Sequence, residues 1–121
     1  TIWSPLASGV LTGKYNQGFV DDTRLSITGM DWLKDAALAE SNLQRARKIK
    51  NVANDLGISM PVLAIAWCLK NPHVSTVILG ASKAAQLKEN FQALDVVKRL
   101  TPEVMEVIEQ ALQNKPKHPE Y

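Results

Sequence analysis

One cysteine in 121 residues excludes an internal disulfide. Cys68 lies inside the apolar run VLAIAWCL, where a thiol is a small buried hydrophobe rather than a nucleophile. A chain without disulfides fits a reducing, cytoplasmic compartment. Long hydrophobic runs are missing too: this eight-residue stretch is the longest, far short of the roughly 20 residues that span a bilayer, so no membrane insertion is expected. Charge of one sign is scarce. A net charge of +2 is too mild for the concentrated basic face that nucleic acid requires. Arg45, Arg47, Lys48 and Lys50 read as a solvated helix surface. The two histidines, His73 and His118, have no cysteine or second histidine at ligand spacing, which excludes a zinc-type site. Tyr15 and Tyr121 have no neighbouring base that would make either a proton donor. No catalytic constellation is present.

What the chain does contain is an ordinary globular composition, 45% hydrophobic and 21% charged. Ile2 and Trp3 read as a strand end, and Pro5 to Ile27 as a long loop rich in Gly, Asp, Asn and Thr. From about Ala36 the spacing of Leu43, Ala46, Ile49, Val52, Ala53 and Leu56 predicts a helix ending at Gly57. Ser59 and Pro61 open a second helix, Met60 to Lys70, stopped by Asn71-Pro72. Val74 to Leu79 is short and β-branched, hence a strand. A helix over Lys83 to about Leu94 is expected to turn Leu87, Phe91 and Leu94 inward. Thr101-Pro102 starts a last helix with Val104, Ile108 and Leu112 inward, before a polar, proline-interrupted tail.

The pattern is βαβα, an α/β arrangement. Neither strand has a polar face, as in parallel sheets covered on both sides, and two such strands alone leave open edges. The chain is therefore expected to be incomplete on its own, the end of a larger protein whose remainder precedes Thr1.

Two segments carry chemistry. In VSTVILGASKAAQLKEN a strand runs through Gly80 into a helix whose start carries Ser82 and Lys83, so that unpaired amides and the positive end of the helix dipole meet an anion. Ser82, Lys83, Gln86, Glu89 and Asn90 are either a simple N-cap with a polar helix surface or a binding edge, since Gln86, Glu89 and Asn90 at helical spacing converge on one side, suited to the amino edge of a purine and a ribose hydroxyl. In TIWSPLASGVLTGKYNQG, Trp3 is either a core aromatic or, at the carboxyl end of a parallel strand, a ring platform for a ligand. Lys14 and Arg24 are either surface charges or cations that close over a pyrophosphate. A helix-turn-helix reading of ANDLGISMPVLAIAWCLKN fails, because MPVLAIAWCLK offers base edges almost no donors or acceptors.

WSPLASGVLTGKY, LAIAWCLKNPHVSTVILGAS and QLKEN, in this order, resemble the last third of the aldo-keto reductases, nearest to the branch containing voltage-gated potassium channel β subunits. The resemblance runs from Thr1 to about Leu112. It implies the C-terminal portion of a (β/α)8 TIM barrel, with the last two strands, their helices and a C-terminal helix. It also implies bound NADP. Trp3 would stack on the nicotinamide while Ser4, Pro5, Leu6, Ala7 and Ser8 line the pyrophosphate. Lys14 and Arg24 would grip the phosphates from a loop. Gly80, Ser82, Lys83, Gln86, Glu89 and Asn90 would hold the 2′-phosphate and adenine. Gln86 stands where many members carry arginine, Ser8 where channel β subunits often carry cysteine, and Asp22 where they often carry an aromatic. The family's catalytic Asp, Tyr, Lys and His or Asn would precede Thr1, so this piece alone is expected to be inactive. The implied whole is an oxidoreductase reducing aldehydes or ketones with a small-molecule carbonyl substrate; the alternative is an NADP(H)-binding regulatory β subunit with a homo-oligomer or channel partner.

Overall fold

A computed structural model describes residues 1–120 of the chain. Apolar side chains repeating every three or four residues wind most of it into helices, six of them α among the described residues: α1 (Asp31–Ala37), α2 (Glu40–Leu56), α3 (Met60–Lys70), α4 (Ala84–Asn90), α5 (Ala93–Val96) and α6 (Pro102–Leu112). α3 is apolar on most of its circumference and lies at the centre. Val62, Leu63, Ile65 and Ala66 are each at most 2% exposed, packed with Leu43, Ala46 and Ile49 of α2, Ala93 and Val96 of α5, and Leu100. Each fully buried Val, Leu or Ile side chain among them contributes about 1.5–3 kcal/mol relative to exposure. α6 closes the assembly through Ile108, with Val104 and Leu112 beside it, as the spacing predicts.

The helix ends follow their local chemistry. α2 stops where Gly57 turns left-handed at φ 69°, with the Ile58 amide donating to the Ala53 carbonyl at 3.0 Å, a Schellman closure. Pro61 sits in the first turn of α3 and Pro102 in that of α6, where the Thr101 hydroxyl accepts from the Val104 amide at 3.3 Å.

Five expectations are corrected. The two strands reduce to one parallel bridge, Ile2 opposite Val77, with the Ile2 amide donating to Thr76 O and the Ile78 amide to Ile2 O, both at 2.9 Å. A lone pair without flanking strands does not extend its ladder, so the described residues form a helical assembly rather than an α/β sheet. The helix expected from Ala36 is two helices, α1 and α2, broken at Leu38 and Ala39; Ala39 is extended, and Asn42 Nδ2 ties the break to Ala36 O at 3.1 Å. The loop over residues 5–27 contains 3-10 turns, Ala7–Thr12 and Arg24–Ser26.

The helix expected over 83–94 breaks between α4 and α5, and its inward face is Asn90, Ala93 and Val96. Leu87, Phe91 and Leu94 are instead 38%, 54% and 62% exposed. α5 packs against α3 through this alanine-bearing face, with Ala93 and Val96 in the core cluster. Finally, two of the four basic residues on α2 are structural ties. Arg45 Nε donates to Leu112 O at 3.1 Å, at the negative end of α6, and Arg47 Nε donates to Asn16 O at 2.9 Å while its Nη1 meets Glu40 at 3.0 Å.

Candidate functional site

The segment after the bridge has an unusual backbone. Ser4, Ala7 and Ser8 adopt left-handed φ values of 55°, 49° and 57°, and Gly9 follows at 99°. Each non-glycine residue there costs about 1–2 kcal/mol, and such strain collects where a loop is shaped for a ligand. The turn is fixed by Ala7 N donating to Ser4 O and Gly9 N to Leu6 O, both at 3.0 Å.

Lys14 folds back over this turn. Its Cε lies 2.6 Å from where a Cβ on Gly9 would stand, so only glycine permits the approach. Its ammonium lies 5.5 Å from the centroid of the Tyr15 ring, and the Tyr15 hydroxyl donates to Thr23 Oγ1 at 2.7 Å, immediately before Arg24. Thr23 and Ser26 close their own turn: the Thr23 amide donates to Ser26 Oγ at 2.9 Å, and Ser26 Oγ donates back to Thr23 O at 2.7 Å. Lys14 and Arg24 are thus on one braced flap.

Opposite the flap, Gly80 leads to the start of α4, where Lys83 is the N-cap residue. Three donors converge on Gln86 Oε1: the Ser82 amide at 2.9 Å, the Ser82 hydroxyl at 3.2 Å and the Lys83 amide at 3.3 Å. The glutamine carbonyl caps the start of α4. Gln86 therefore turns back on its own backbone rather than reaching outward beside Glu89, and Asn90, the last residue of α4, is only 4% exposed yet lines the cleft.

One cleft of about 1420 Å³ collects both segments. Trp3, Ser4, Pro5, Leu6 and Ser8 line one stretch, Lys14 and Arg24 the flap, and Gly80, Ser82, Lys83, Gln86, Glu89 and Asn90 the far wall. Ala7 is the exception; it faces a separate, largely apolar cavity of about 510 Å³ beside Trp67 and Cys68. Burial pushes the Cys68 thiol above its ordinary pKa, which keeps it protonated and unreactive at neutral pH. The Trp3 ring is 78% exposed, a free flat surface at the cleft.

Reading residue by residue missed other lining residues, and it assigned Lys50 to a solvated helix surface. Lys50 and Asn54, one turn apart on α2, line the cleft floor, and Thr23 lines the flap. The i, i+4 spacing of Lys50 and Asn54 on the polar side of α2 was the available signal. With Lys50, four cationic residues line the cleft against the acidic Asp22 and Glu89, an excess suited to an anion. No metal-binding group of histidine, cysteine, aspartate and glutamate exists among the described residues. Tyr15 is fully buried with its hydroxyl engaged, and Tyr121 lies outside the described residues. No single described helix is long and apolar enough to cross a membrane.

The family model described as "Aldo/keto reductase family" matches residues 1–113. A protein named "Probable voltage-gated potassium channel subunit beta" from Arabidopsis thaliana is 48% identical over 121 residues, 99% of this chain. A protein of the same name from Oryza sativa subsp. japonica is 49% identical over the same share. The chain spans 37% of the length of each of these relatives.

Proposed function

Because the chain belongs to the aldo/keto reductase family, we propose that it is the dinucleotide-holding part of an NADP-dependent oxidoreductase that reduces aldehydes or ketones. In this reading the chain is the C-terminal portion of a (β/α)8 barrel whose other strands lie outside it, and the whole protein is cytoplasmic. The observation that carries the reading is the gathering of Trp3, the strained 4–9 turn, the Lys14–Arg24 flap and the Gly80–Asn90 wall in one cationic cleft.

The residues fit such a group. Donors that already converge on a carbonyl oxygen at Ser82 and Lys83 would donate to a 2′-phosphate oxygen in its place, with Lys83 adding charge. Glu89 and Asn90 would meet the adenine and ribose. Lys14 and Arg24 would neutralise the pyrophosphate against the Ser4–Ser8 backbone, and the exposed Trp3 ring would stack on the nicotinamide. When bound, the dinucleotide supplies the hydride for carbonyl reduction. The chain's own task is to bind, orient and shield it; the proton-donating groups belong to the rest of the protein.

The names of the plant relatives favour a second reading, an NADP(H)-binding regulatory subunit of a potassium channel. One experiment addresses both. In the full-length protein, Lys14→Glu with Ser82→Asp is expected to weaken NADPH binding, read by quenching of its fluorescence, by at least about a hundredfold, since each change sets a carboxylate against a phosphate. Undiminished affinity refutes the cleft assignment. Binding without measurable aldehyde turnover favours the regulatory reading.

A further inference from the structure

Tyr15 plays no part in the binding just described, does not line the cleft, and is nonetheless fully buried with both its ring and its hydroxyl committed to cleft residues. We propose that Tyr15 is the positioning residue that holds Lys14 and Arg24 over the cleft as one unit. The proposal rests on the dinucleotide reading above and deepens it by assigning the control of the flap.

The two ends of the side chain reach the two cations. The ring lies beneath the Lys14 ammonium, 5.5 Å from its centroid, and its Cε2 edge is 3.3 Å from the Cβ position that Gly9 leaves empty. The lysine stem thus runs through a slot between glycine and tyrosine, and the ring's negative face holds its head. The hydroxyl donates to Thr23 Oγ1 at 2.7 Å, and Thr23 Oγ1 passes a hydrogen bond to Val20 O at 3.1 Å. Thr23 is the residue before Arg24, and its turn is closed by Ser26.

The intervening loop is braced from outside. Phe19 stacks parallel to Tyr15 with ring centroids 6.4 Å apart, and the Lys34 ammonium of α1 sits 3.9 Å over the Phe19 ring. Asn16 O is held by Arg47. Released from Tyr15, Arg24 would hang from an exposed loop, and each rotamer-rich side chain immobilised only on binding weakens affinity.

The test uses the full-length protein and NADPH. Tyr15→Phe keeps the ring and removes the tie to Thr23; it should weaken NADPH about fivefold, the worth of a lost positioning hydrogen bond. Thr23→Val should weaken it equally, and Thr23→Ser should restore it. In an Arg24→Ala background, Tyr15→Phe should change affinity by less than about twofold, because the loss passes through Arg24. A general loosening of the fold would instead multiply the two losses, and that result overturns the proposal, as does an unaltered affinity in Tyr15→Phe when Arg24→Ala weakens binding. If Arg24→Ala itself binds normally, the flap does not grip phosphate and the proposal falls. A wild-type protein that does not bind NADPH sinks the underlying reading, a result distinct from wild-type binding that the variants leave unmoved.

Discussion

Replacing Gly9 with alanine separates backbone strain from cofactor binding in one residue. The added Cβ would stand 2.6 Å from Lys14 Cε, 3.1 Å from Nζ and 3.3 Å from the Tyr15 ring. Carbon atoms settle about 3.5–4.0 Å apart, so the lysine stem must retreat by roughly 1 Å or more and its head leaves the slot. The lysine end is flexible and yields first, so the clash itself costs little. The backbone does not yield: alanine at φ 99° carries about 1–2 kcal/mol of strain, which appears as lost stability. Loss of a charge-assisted contact to a phosphate is worth about 1.5–3 kcal/mol, roughly ten- to a hundredfold in affinity. Denaturant melts of the full-length protein measure the first quantity and NADPH fluorescence titration the second. With Lys14→Ala already present, Gly9→Ala should still cost stability but no further affinity. Affinity that falls equally in both backgrounds, or not at all in either, refutes the assignment of Gly9 as the seat of Lys14.

Three other outcomes are expected. Leu100→Ala empties a site with no exposed surface in the central cluster and should destabilise the full-length protein by about 2–5 kcal/mol in a denaturant melt; a loss below about 1 kcal/mol would show that this cluster is not the core. Gln86→Arg removes the carbonyl that occupies the Ser82 and Lys83 donors and adds a cation, so preference for NADPH over NADH in paired titrations should rise about tenfold, and no rise would mean that these donors do not face a 2′-phosphate. Glu103, at the start of α6, has its pKa lowered by hydrogen bonds from its own backbone amide and the Thr101 hydroxyl. A depressed folded pKa gives stability present above the usual glutamate value of about 4.3 and lost as pH falls through the lower folded value. Glu103→Gln should therefore flatten the acid limb of the stability curve in that window, and an unaltered limb would show that the charge does not support α6.

Helix ends were legible where a residue acts through its own backbone. Pro61 and the Asn71-Pro72 stop bound α3 at Met60 and Lys70, Gly57 ends α2, and Thr101-Pro102 opens α6, because proline fixes φ and glycine alone enters the left-handed region without a Cβ clash, whatever the surroundings. Thirteen of the residues that line the cleft stood out in the sequence for a related reason, together with the family resemblance. The turn glycines and the polar residues at the start of α4 are chemically unlike the apolar chain on either side.

The face that each helix buries was another matter. Leu87, Phe91 and Leu94 form as good an apolar stripe as Ala93 and Val96, and only packing against α3 decides between them. The same holds for Arg45 and Arg47, whose ties to Leu112 and Asn16 span 67 and 31 positions, and for Tyr15, which reaches Thr23 across a loop. Local chemistry, written in single residues and their immediate neighbours, determined the element boundaries and the character of the cleft. Packing between distant elements alone decided which faces are buried, that Arg45 and Arg47 become ties, and that the two cations of the loop share one brace, because those outcomes depend on contacts no short window of sequence contains.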